Sequence, residues 1–188
     1  PKAAALHKLS AIFATAATNA RCSHAVWTTG EGFNRVANDN QPPSAWGEFP
    51  VESAIPFEEA YGLLPPRLRR QGIRVIISDL FWPGDPLPTL RKLTEDAAAV
   101  YVVQLLAQSD VEPPDPGNVE LIDHETGETL SLYIDASMQQ QYRQTLKRLQ
   151  QSWHDAVRQT GAQLVTLVAE QIDNSLHRLE EINALEPA

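Results

Sequence analysis

A chain of 188 residues, 43% of them hydrophobic and 21% charged, is long enough for one domain with a sizeable core. Twenty-four acidic against 15 basic residues give a net charge of -9, which repels a phosphate backbone and argues against nucleic acid as a partner. One cysteine, Cys22, excludes an intrachain disulfide framework and fits a reducing, cytoplasmic compartment. No run approaches the roughly 18 apolar residues of a membrane span, so no membrane segment is expected in this chain.

The first element is an alanine-rich helix over 2–20, with Leu6, Leu9, Phe13, Ala16 and Ala17 at three- and four-residue spacing. His7 has no second ligand at i+4 and reads as a helix-flank residue. Cys22 to Thr28 reads as a strand, with Cys22 as a small core residue. The turn T-T-G-E-G then returns the chain through Phe33 to Val36 as a hairpin. Residues 38–56 form a long irregular connection that Trp46 and Phe49 should pin to the body. Runs of this length also serve as binding loops. Pro56 opens a helix from Phe57, with Glu58 and Glu59 in its first turn.

The run G-I-R-V-I-I-S-D, residues 72–79, is short, β-branched and nearly unbroken. Such a run suits a strand covered on both faces, in the middle of a parallel sheet. A crossover helix over Leu87–Asp96 and a second buried strand over Ala98–Leu106 complete a βαβ unit. Ligands of open α/β sheets bind outside the carboxyl ends of the strands, which places Asp79 at the natural site. Two short strands within 119–134 form an inserted hairpin. A long helix from Asp135 or Ser137 to Thr160 ends at Gly161, and its Met138, Tyr142 and Trp153 are expected in the core. Leu164–Val168 is a last strand, and a closing helix carries Leu176, Leu179, Ile182 and Leu185. The fold class that follows is α/β, a Rossmann-like, mostly parallel sheet with flanking helices, in a single domain over 1–188.

Chemistry is sparsely signalled. Neither G-x-x-x-x-G-K nor G-x-G-x-x-G occurs, and there is no G-x-S-x-G, so nucleotide binding and serine hydrolysis lack their motifs. Arg67, Arg69, Arg70 and Arg74 form the one dense basic cluster, placed to complement a helix dipole. Asp79 has the oxygen chemistry that Mg²⁺ or Mn²⁺ takes, with Asp85 nearby. Asp110 or Glu112 is the carboxylate that the neighbouring strand end could bring beside it. The other role open to Asp79 is to take backbone hydrogen bonds in the turn that follows. Asp123, His124 and Glu125 alternate sides in a hairpin turn and make a poor zinc site.

The segment from Ile73 to Ile134 resembles a bacterial family. Its pieces are S-D-L-F-x-P-G-D after the strand, then V-Y-V-V-Q-L-L-A-Q-S-D-V-E-P-P-D-P-G and the hairpin E-L-I-D-H-E-T-G-E at 120–128. The family is the von Willebrand factor A-like one filed as domain of unknown function 58, often encoded beside MoxR-type AAA+ ATPases. The resemblance implies a non-enzymatic interaction or assembly module with a protein partner, a MoxR-type ATPase among them. It also implies a metal-ion-dependent adhesion site in which Asp79 ends the fourth strand. The D-x-S-x-S ligands of that site are absent here, and the strand bearing them is expected upstream of Pro1. Mg²⁺ or Mn²⁺ is therefore expected only with ligands from upstream. Trp46, Phe49, Phe81 and Trp82, near the same edge, are the expected partner contacts. The alternative is a metal-assisted hydrolase on the same sheet, using Asp79.

Overall fold

The computed structural model describes all residues except 52, 54, 83, 123–128 and 186–188. It is a mixed α/β fold whose centre is a three-stranded parallel sheet with helices on both faces, a Rossmann-like arrangement. Helix α1 (Lys2–Asn19) is followed by a hairpin of β1 (Trp27–Gly30) and β2 (Gly32–Arg35). A 3-10 turn at Pro43–Ala45 leads to α2 (Phe57–Leu63). Then come β3 (Ile73–Ser78), α3 (Pro86–Thr94), β4 (Ala99–Leu106) and a single turn, α4 (Gln108–Val111). The hairpin β5 (Gly117–Ile122) and β6 (Thr129–Ile134) precedes α5 (Ala136–Thr160). The chain ends in β7 (Gln163–Val168), a 3-10 turn and two short helices, α6 (Ile172–Ser175) and α7 (His177–Glu181).

The sheet order is β3-β4-β7, all parallel, with Ile77 opposite Val103 and Val103 opposite Val165. Side chains alternate across a strand, and β4 shows the result. Val103 and Leu105 pack with Ala5, Leu9, Val165, Leu167 and Leu179, under α1, α6 and α7. Val100 and Val102 pack on the opposite face with Leu80, Leu90, Trp153 and Val157, under α3 and α5. Asp85 caps α3 by accepting from the Leu87 N–H at 2.9 Å. Asp135 caps α5 through the Met138 N–H at 2.8 Å, and Gly161 ends it at φ 74°.

Several expectations are corrected. β4, not β3, is the buried centre: β3 pairs on one side only among the described residues, and Ile73 is 68% exposed. An apolar run reports coverage of its faces and carries no signal for how many strands flank it. Cys22 is exposed. Arg21 turns at φ 57° and the Cys22 N–H still bonds back to Ala17 at 2.8 Å, so Cys22 belongs to the exit from α1. The first strand accordingly starts at Trp27 instead of Cys22. Gly32 is required there, because a Cβ would stand 2.6 Å from Leu64 Cβ, where the Phe33 N–H reaches the Leu64 carbonyl at 3.0 Å. Arg67, Arg69 and Arg70 of the basic cluster lie on irregular chain and not on a helix end, and Arg74 lies on β3 as expected. Arg74 donates to the Leu93 carbonyl at 2.6 Å and so serves the carboxyl end of α3. The closing helix is broken into a 3-10 turn and two short helices starting at Ala169.

Candidate functional site

The turn after β3 is built from its own side chains. Ser78 Oγ accepts the Leu80 N–H at 3.1 Å, and Asp79 Oδ1 accepts the Phe81 N–H at 3.2 Å. These are the two-residue reaches by which Ser and Asp shape turns. Leu80 takes φ 64°, a strained value for a side-chain-bearing residue, and is fully buried beneath α3 and α5. Burying Leu80 turns Phe81 outward, where it is 40% exposed. The carbonyl of Asp79 is held from below by Gln104 Nε2 at 3.2 Å. Gln104, 1% exposed in the middle of β4, also takes Thr166 Oγ1 at 2.9 Å and Gln150 Nε2 at 3.4 Å on its own carbonyl oxygen. Its sequence signal is one amide inside the otherwise apolar run of β4.

Asp79 and Asp110 do converge, and Lys2 stands between them. Its ammonium lies 3.0 Å from Asp79 Oδ2 and 3.1 Å from Asp110 Oδ2, and 5.6 Å from the centre of the Phe81 ring. Asp110 Oδ2 also accepts the Ala107 N–H at 2.8 Å, which fixes it at the start of α4. Partial burial by itself pulls the Lys2 pKa down. The charges of Asp79 and Asp110 and their hydrogen bonds outweigh it, so the Lys2 pKa stands above its ordinary value. The Tyr142 hydroxyl donates to the Asp110 carbonyl at 2.7 Å. Burial, then the Asp110 charge, raises its pKa against the opposing pull of Lys2.

Because the Lys2 pKa is raised on folding, the folded state holds its proton longer than the unfolded one. The stabilisation is complete at neutral pH and is lost as pH climbs past the ordinary lysine value of about 10.4. Tyr142 titrates in the same direction, so the comparison belongs in a Tyr142→Phe background. There, urea midpoints from pH 7 to 11 should fall more steeply with Lys2 than with Lys2→Met. Parallel curves would mean that the ammonium is not held by the two carboxylates.

Two carboxylates sharing one ammonium are already neutralised in part. Mg²⁺ asks for a near-octahedral shell of oxygens. Among the described residues, no group of three His, Cys, Asp or Glu side chains stands close enough to hold a metal ion. The donor set at Asp79 therefore does not fit Mg²⁺ or Mn²⁺ on these residues. Asp85 caps α3 through one carboxylate oxygen, and the 123–125 triplet lies outside the described residues.

Around the ion pair is a set of exposed apolar side chains. Phe81 is 40% exposed, Val111 37%, Met138 39% and Tyr142 38%. Lys2 links Phe81 to Asp110, Tyr142 bonds to Asp110, Val111 follows Asp110, and Met138 precedes Tyr142 by one helical turn. Met138 and Tyr142 were expected in the core with Trp153, yet only Trp153 is buried, at 2%. α5 is 25 residues long and its buried residues, Trp153, Ala156 and Val157, all lie in its second half, so the apolar stripe of its first turns is left uncovered.

The other expected contacts are less open. Trp46 is 6% exposed, its indole N–H donating to the Gln41 carbonyl at 2.9 Å, in a cluster with Ala14, Val36 and Phe49. Trp46 thus pins the 38–56 connection to the body as expected, its ring closing it against α1, and it is not open as a partner contact. Phe49 is half-buried and meets the His7 ring at 4.1 Å. Trp82 is half-buried, stacked on Phe57 at 5.4 Å and edge-on to Trp153 at 5.1 Å.

This is an α/β domain with an ion-paired, partly apolar surface at the carboxyl end of its parallel strands. The model of the family described as "Protein of unknown function DUF58" matches residues 45–178, and the chain belongs to that family. An uncharacterized protein of Mycobacterium avium is 36% identical over 102 residues, which are 53% of this chain and 58% of that protein. An uncharacterized protein of Mycobacterium tuberculosis is 31% identical over 99 residues, 53% of this chain and 31% of that protein. The chain thus spans little more than half the length of the first relative and under a third of the second. No solved structure matches significantly. No described helix is long and apolar enough to cross a membrane.

Proposed function

We propose that this chain is a non-enzymatic interaction or assembly module that meets a protein partner at the carboxyl edge of its sheet. The observation that carries the reading is the set of Phe81, Val111, Met138 and Tyr142, four exposed large apolar side chains gathered around the Lys2 ion pairs. Aromatic anchors beside polar groups are the usual composition of a binding surface's centre. The family resemblance names the partner class to try first, a MoxR-type AAA+ ATPase, and the von Willebrand A-like character of the fold belongs to the same reading. Of the expected contacts, Phe81 is the most open, and Trp46 would act only by shaping the loop.

A purified MoxR-type ATPase should bind this chain, and Phe81→Ala with Tyr142→Ala should weaken the complex at least tenfold. Binding of that double variant at full strength would discard the surface. The metal-assisted hydrolase reading has the paired carboxylates it needs, but they converge on an ammonium. Phosphoester turnover that required Mg²⁺ or Mn²⁺ and disappeared in Asp79→Ala would revive it and overturn the module.

A further inference from the structure

On the α2 side of the fold, a cleft of about 350 Å³ opens between α2 and the start of α3, lined by Pro56, Glu58, Glu59, Trp82, Asp85 and Thr89. That volume is at the lower end of the roughly 300–1,000 Å³ of small-ligand sites. Three of the described lining residues are carboxylates. Glu58 has one partner, Lys92 at 3.4 Å. Asp85 uses one oxygen to cap α3, which leaves the other available. Glu59 makes no ion pair or hydrogen bond among the described residues. Helix capping explains why acids stand at each helix start separately. It does not explain why the two helix starts bring their acids to one cleft beside Trp82.

A second feature points to an occupant. Thr89 is only 3% exposed, lines the cleft, and its hydroxyl makes no hydrogen bond among the described residues. The hydroxyl is not sealed in the core, and its small exposure together with its place in the lining opens it to the cleft, where it can accept from a ligand's donor. The cleft therefore offers an apolar wall (Trp82 and Pro56), carboxylates above it and one free hydroxyl.

We infer that this cleft receives an arginine side chain of a protein partner. The aliphatic stem would lie along Trp82 and Pro56, and the planar guanidinium, with five donors, would meet Glu59, Asp85 and the Thr89 hydroxyl. Charge favours this assignment, since Lys92 offsets only one of three acids and the whole chain carries -9. The inference deepens the interaction reading by giving one contact its chemistry. The two fail separately, because Phe81 and Tyr142 variants leave the cleft intact.

The probe is a short peptide with one central arginine, titrated into isotopically labelled protein while the Trp82 indole N–H resonance is followed. A saturable shift is expected, weakened at least fivefold in Glu59→Gln with Asp85→Asn. Asparagine still caps a helix, so that variant keeps its fold. The same peptide with citrulline in place of arginine should bind at least fivefold more weakly. A shift that does not saturate, or one indifferent to the double variant or to citrulline, overturns the inference.

Discussion

Trp153→Ala should cost about 3–5 kcal/mol of stability, the range for removing a large aromatic side chain from a core. Trp153 is 2% exposed and sits on α5 where the helix covers the sheet, packed with Leu80, Leu90, Val100 and Val102. Its edge-on contact also supports Trp82, which in turn stacks on Phe57. One deletion therefore opens the α3–α5 core and loosens the aromatic chain reaching α2. Urea unfolding would show the loss in the midpoint, with the slope unchanged if the transition stays two-state. A loss below 1 kcal/mol would show that α5 does not pack on the sheet through this residue. Leu80, forced into its left-handed turn, depends on the same pocket, so the outward placement of Phe81 should suffer with it.

Gln104→Leu is the second large effect. Leucine fills nearly the same volume and suits a buried strand, so pattern alone would make the change harmless. Its cost comes from the partners left behind: the Asp79 carbonyl, the Thr166 hydroxyl and the Gln150 amide all bond to the Gln104 side chain. An abandoned buried polar group costs about 1–3 kcal/mol. Gln104 connects all three parallel strands at the level of the candidate surface, since Asp79 follows β3 and Thr166 lies on β7. Amide exchange at Leu80 and Phe81 should quicken beyond the global destabilisation, because the turn loses its anchor. Unchanged stability together with unchanged exchange at the turn would show that the network does not hold the end of β3.

Both effects separate what the chain announces from what it conceals. Local rules placed the elements well. The β-branched run at 73–78, the apolar run at 99–106 and the capped, glycine-ended helix at 136–160 are each written in a few neighbouring residues. Leu90 and Leu93 face inward as their helical spacing requires. The turn function of Asp79 was equally open to reading, since its side chain reaches only two residues along the chain.

The sequence by itself therefore determined the α/β class and the order of the main elements. Tertiary structure decided the rest. Lys2 meets Asp79 across 77 positions, and no local pattern encodes that distance. Tyr142 shows the same limit. Periodicity made it a core residue, and the body of the fold stopped short of it. Hydrophobic periodicity fixes which way a side chain faces along its own element. Whether anything stands opposite is settled only when distant segments pack, because burial belongs to both surfaces at once.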